Sequence, residues 1–255
     1  MLLGTVNFEN VIDNSTIKPR HNYAKLGIIK IKGVNRKSIG DSQVPIYQFT
    51  AAFNKYMKIN RKNYKIFSSL LFEFTNFLEQ TNKKSYTTAF VHLYRCMEYI
   101  SYSFPLVYAS KSHDYKGTYD SLKNFFYDKT ASELKFFHVF QKELIDSGVL
   151  ALKFIIDVNA PPTMKAEFNT LILRLANGKA QQVATGIEIS YKDLWEFAIQ
   201  IRNRYFHLLN GDGQMNINSQ KIFMDYFFAA FNEHLANWIA FIYFEITRYG
   251  VEQTS

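Results

Sequence analysis

From about residue 62 to the end of the chain, apolar residues return every three or four positions, and this period constrains the fold more than any other feature. Residues 62–80 place Ile66, Leu70, Leu71, Phe74, Phe77 and Leu78 on one stripe. Residues 84–104 do the same with Phe90, Leu93, Tyr94, Met97, Ile100 and Phe104, so two long helices are expected to pack as an antiparallel pair. A loop at Ser110 to Thr118 precedes helical stretches near 119–128 and 131–156, which Ala160-Pro161-Pro162 breaks. A shorter helix near 164–177 ends at Asn177-Gly178, where a left-handed stop costs little. The next helix starts at Ser190, an N-cap type with Asp193 three residues on. It carries Leu194, Ala198, Ile201, Tyr205 and Leu208, and it stops at Asn210-Gly211-Asp212-Gly213. A last long helix, about 217–248, repeats Phe223, Phe227, Phe231, Leu235, Trp238 and Ile242.

Residues 1–50 follow a different period. Alternation in Thr5 to Phe8, Leu26 to Lys32 and Ile46 to Phe49, punctuated by Pro19, Gly33 and Gly40-Asp41-Ser42, suggests strands and turns. The expected fold is therefore mainly α: a helical domain over residues 56–255 after a small β-rich N-terminal appendage over 1–55.

With 24 Phe and 17 Tyr the chain has ample core material. Its single cysteine, Cys96, allows neither an internal disulfide nor a multi-cysteine metal site, which points to a reducing compartment. The longest apolar stretch, Leu235 to Phe244, lies between Glu233 and Glu245 and falls short of the roughly 20 residues a bilayer span needs. We therefore expect a cytoplasmic protein with no membrane partner. Net charge is uneven: residues 1–60 hold nine Lys+Arg against three Asp+Glu, while 191–255 hold five against seven. A basic N-terminal half suits a polyanion such as RNA, although charge alone fits a solvated lysine surface equally well.

Most enzyme signatures are missing. No glycine-rich phosphate loop follows a strand, and the six histidines show none of the familiar spacings to acids or cysteine, so neither a metal nor a cofactor is expected. What remains is Ile201-Arg202-Asn203-Arg204-Tyr205-Phe206-His207, late in the helix that starts at Ser190. Arg, four residues and then His, with a polar residue directly after the Arg, resembles the signature of the HEPN superfamily. The early helix Phe90-Val91-His92-Leu93-Tyr94-Arg95-Cys96-Met97-Glu98-Tyr99 and the position of the motif near the C-terminal end extend that resemblance over about residues 62–248. Residues 1–50 stay outside it.

On a regular helix, residues five apart point about 140° away from each other, so Arg202 and His207 would not share a face, whereas Asn203 and His207 would. Either the helix is broken near the motif, or two copies complete one site; the resemblance implies the second, a homodimer with a composite active site. It further implies a metal-independent endoribonuclease of the toxin or phage-defence kind, with an antitoxin or regulatory protein as a further partner. In that reading His207 does acid/base work or positions phosphate, Arg202 stabilises charge and Asn203 orients His207 or the phosphate. Glu98 is a supporting candidate at the edge of the apolar stripe, where it would fix Arg202 or take part in catalysis. Arg204 could hold a phosphate or nothing. Tyr205 belongs with the core, and a helix-end role remains open for His207. The alternatives are a HEPN-like scaffold that binds RNA, a nucleotide or a protein without cutting, and a plain helical interaction protein.

Overall fold

The computed structural model describes residues 8–9, 16–17, 55–127, 137, 141, 144–206 and 224–252. Of these, 80% are helical. After a 3-10 turn at Asn60–Asn63, helix α1 (Tyr64–Asn82) buries Leu70, Phe74 and Phe77, the stripe its spacing predicts. The chain reverses at Lys84, which takes a left-handed φ of 59°, and Ser85 N–H closes the turn on the Gln80 carbonyl at 2.9 Å. Helix α2 (Tyr86–Lys111) then returns along α1, with Cys96 opposite Leu70 and His92 opposite Glu73, so the pair is antiparallel as expected. It runs past its anticipated end at Phe104. Pro105 removes one backbone donor, yet buried Ile100 and Phe104 hold this part of the helix in the core. Helix α3 (Tyr115–Tyr127) starts four residues earlier than the apolar pattern suggests, because Asp114 caps it by accepting from Gly117 N–H at 3.0 Å.

Residues 137, 141 and 144 are helical, but the helix expected over 131–156 does not continue to its end. A short helix α4 (Ser147–Ala151) gives way to strand β3 (Lys153–Ile156), in which Phe154 and Ile156 point inward and Lys153 and Ile155 outward. Strands β4 (Ala180–Gln182) and β5 (Ile187–Ser190) complete an antiparallel sheet in the order β3-β5-β4. Its inner face, with Phe154, Ile156, Ile187 and Ile189, packs toward the helices, and Phe154 stacks on His234 at 4.5 Å. Its outer face carries the Lys153–Glu188 ion pair at 2.7 Å. Between β3 and β4 lies helix α5 (Pro162–Ala176), which starts on a proline at its first turn and stops at Asn177 with φ 48°, the left-handed stop that Asn177-Gly178 implies.

Helix α6 (Tyr191–Phe206) follows β5 directly, with the Ser190 hydroxyl bonded to the Asp193 carboxylate at 2.5 Å. Helix α7 (Met224–Glu252) runs through the core: every residue from Leu235 to Ile242 is buried, so this stretch is enclosed on all sides. Its first turn is tied to the first turn of α2, where Asp225 accepts from both the backbone N–H and the hydroxyl of Thr87 at 2.7 Å. These are orphan donors of a helix start, satisfied here from a distant segment. Of the expected N-terminal appendage, one pairing lies among the described residues: β1 (Phe8–Glu9) runs antiparallel to β2 (Thr16–Ile17). The proposed strands at 26–32 and 46–49 lie outside them.

Candidate functional site around Arg202

Helix α6 turns Leu194, Trp195, Ala198 and Ile201 into the core and leaves Arg202, Asn203, Arg204 and Tyr205 half-buried at its C-terminal end. Arg202 leaves the helix on the side of α2. Its guanidinium carbon sits 5.2 Å from the centre of the Tyr94 ring, a distance at which a cation is attracted to an aromatic face. Arg202 Nη1 also donates to Asn203 Oδ1 at 3.2 Å, which leaves the Asn203 amide nitrogen as the donating end of that side chain. The Arg and Asn of the motif are thus brought together. His207, the third member, lies outside the described residues, as does the helix end expected at 209.

Aromatic rings wall the site on the core side. Phe90 lies 4.6 Å from Phe228, 6.1 Å from Tyr94 and 6.4 Å from Phe206, and Tyr205 meets Phe206 edge to face at 4.7 Å. Tyr205 packs against the core as expected, while Phe206 remains 41% exposed at the rim. Burial pushes the Tyr94 phenol up to about 12; the Arg202 charge pulls it down and the Glu98 charge pushes it up. Tyr94 therefore stays protonated, with a cation against its ring and an anion in range.

Glu98 departs from expectation. The sequence places a partly buried carboxylate at the edge of the α2 stripe, but α2 turns Leu93, Tyr94, Cys96 and Met97 inward and leaves Glu98 exposed. Its field reaches Tyr94, one helical turn away, so it bears on the site through that phenol. Arg204 also parts from Arg202. Two residues along a helix turn the side chain by about 200°, and Arg204 faces a cleft formed with α5.

A second polar cluster has no signature in the sequence. Glu73 on α1 is 4% exposed and accepts from His92 Nδ1 at 2.7 Å and from Arg95 Nη1 at 3.2 Å. A carboxylate partner fixes the Nδ1–H tautomer of His92, and the cluster ties α1 to α2. Cys96, one turn from His92, has its thiol pushed above the ordinary range, first by burial and then by the Glu73 charge. Among the described residues no group of three or more His, Cys, Asp and Glu side chains is arranged to hold a metal ion, and no helix is long and apolar enough to cross a membrane. The one signal that could have found the Arg202 platform was Tyr94 itself, a polar-tipped aromatic inside an otherwise aliphatic and phenylalanine stripe. Comparison with models of protein families, with curated proteins and with solved structures gave no match.

Proposed function

We propose that this chain is a metal-independent endoribonuclease of HEPN type, acting as a toxin or phage-defence effector, with Arg202, Asn203 and His207 as its working residues. The observation that carries the reading is the seating of Arg202: a permanently charged guanidinium fixed by the Tyr94 ring and by Asn203 at the end of α6. A positioned cation of this kind can stabilise the oxygens of a phosphorane without reorganising at the moment of reaction.

RNA supplies the nucleophile. Its 2′-hydroxyl attacks the adjacent phosphorus; the P–O2′ bond forms, the P–O5′ bond breaks, and the proton passes from O2′ to an imidazole and returns to O5′. The products are a 2′,3′-cyclic phosphate and a 5′-hydroxyl end. His207 is assigned the proton transfer. A homodimer with the two motif helices facing each other would set the His207 of one copy against the Arg202 of the other.

The test is incubation of the purified protein with total RNA and with a labelled oligonucleotide, in EDTA, beside Arg202→Ala and His207→Ala. Cleavage by the wild type alone, on RNA and not on DNA, is the expected result. A requirement for Mg²⁺, or equal cutting of DNA, would overturn the mechanism. The packing of Arg202 on Tyr94 also suits a second reading, in which the arginine is structural and the chain is a scaffold that binds RNA, a nucleotide or a partner protein. Normal RNA binding by both variants, with no cutting by the wild type, would decide for that reading.

A further inference from the structure

On the side of α6 away from Arg202 lies a cleft of about 240 Å³, bounded by the end of α5, the start of β4 and one face of α6. That is space enough for a phosphate group and a small ring. Its floor is apolar, from Leu175, Ala176, Ile189 and Phe197. Its walls carry charge. Asp193, Glu196, Gln200 and Arg204 recur at three- and four-residue spacing on α6, and Arg174 and Lys179 face them across the cleft.

Two of these charges are already committed to each other: Lys179 pairs with Glu196 at 2.5 Å. Asp193 accepts from the Ser190 hydroxyl. Among the described residues Arg174 and Arg204 have no side-chain hydrogen bond or ion pair, and both line the same concave space. Asn177 and Gln200 add neutral amides at the same rim. Guanidinium groups favour planar or tetrahedral oxyanions, and two of them match a dianion better than a single carboxylate.

We propose that this cleft binds a phosphate monoester, its dianionic group gripped by Arg174 and Arg204 and its organic part resting on the Leu175–Ile189 floor. Such a group can come from a small phosphorylated molecule or from the phosphorylated end of a polynucleotide. The site is separate from the Arg202 site and stands whether or not the chain cuts RNA.

Calorimetric titration of the full chain at constant ionic strength tests it, with three probes: phenyl phosphate, inorganic phosphate, and a DNA hexamer with or without a 5′-phosphate. Saturable binding of phenyl phosphate, tighter than inorganic phosphate and weakened at least tenfold by Arg174→Gln and by Arg204→Gln, is expected. Binding of the phosphorylated hexamer but not its unphosphorylated twin would identify a polynucleotide end as the ligand; binding of phenyl phosphate without the hexamer would identify a small ester. Circular dichroism of each single variant confirms that it remains folded, so a loss can be assigned to the cleft. Absence of saturable binding by every probe would overturn the proposal, as would unchanged binding in a folded Arg174→Gln/Arg204→Gln double variant. If the two arginines serve only the carbonyl ends of α5 and α6, the variants melt lower and the wild type binds no probe, which is also a refutation.

Discussion

The contact between Arg202 and Tyr94 can be measured without any assumption about activity. Tyr94→Leu removes the ring and Arg202→Met removes the charge while keeping an unbranched stem, so the two variants and their combination form a thermodynamic cycle. With the guanidinium carbon 5.2 Å from the ring centre, Tyr94 5% exposed and Arg202 half-buried, the coupling falls between the exposed and desolvated ranges, at about 1 kcal/mol. That is about a fivefold change in the folding equilibrium. Tyr94→Leu alone should cost about 2–3 kcal/mol through lost ring volume in the core, which a domain of ordinary stability survives. Urea denaturation followed by far-UV circular dichroism gives the free energies. The double variant should be less destabilised than the sum of the singles by the coupling energy. Additivity within about 0.3 kcal/mol would show that the guanidinium does not rest on the ring, and the seating of the proposed catalytic cation would fall with it.

Asp225→Ala strips both Thr87 contacts from the start of α2 and should cost about 1–2 kcal/mol by the same denaturation assay, with Asp225→Asn retaining part of it. In Gly250→Ala the added methyl would overlap the ring of buried Tyr56, so the melting temperature should drop by several degrees, whereas Gly178→Ala meets nothing and should suffer only from its left-handed φ of 80°. Cys96 should resist iodoacetamide at pH 8 in the native protein and react promptly in urea, because its thiol is buried and held above its ordinary range. Tyr94, Tyr191 and Tyr243 are each raised from 10.0 to about 12, so the stability that comes from keeping these phenols neutral is intact below pH 10 and is lost between pH 10 and about 12. Absorbance at the phenolate band should show a late group of tyrosines that ionise together with unfolding.

The long helices were readable because each buries one stripe, and the stripe in the sequence is the stripe in the structure: Leu70, Phe74 and Phe77 in α1, Leu93, Met97 and Ile100 in α2. The sheet was not, for two separate reasons. In β3 the alternation of buried Phe154 and Ile156 is present, but exposed Ile155 hides it inside what looks like a continuous apolar run. In β4, Ala180-Gln181-Gln182 has no apolar signal, and pairing with β5 supplies what propensity does not. At the site, the Arg202–Asn203 pair could be read from the motif. The buried Tyr94 beneath it and the exposure of Glu98 could not, since both depend on how far α2 is rotated about its own axis, and single-residue errors in that rotation move a side chain by about 100°. Arg174 could not be paired with Arg204 from sequence, because the cleft joins segments about 30 residues apart through a hairpin the pattern concealed.

Helix α7 sets an order of events during synthesis. The α1–α2 hairpin closes through contacts between residues near in sequence and can form while the chain is still emerging from the ribosome. Part of its inner face has no cover until residues 224–252 arrive, because the Phe90–Phe228 stack and the Thr87–Asp225 bonds join segments nearly 140 positions apart. Until then the side of Phe90 that meets Phe228 and Phe231 is open, an apolar surface of the kind that holdase chaperones bind and proteases exploit. A chain interrupted before residue 224 would therefore hold the α1–α2 hairpin with part of its apolar flank open.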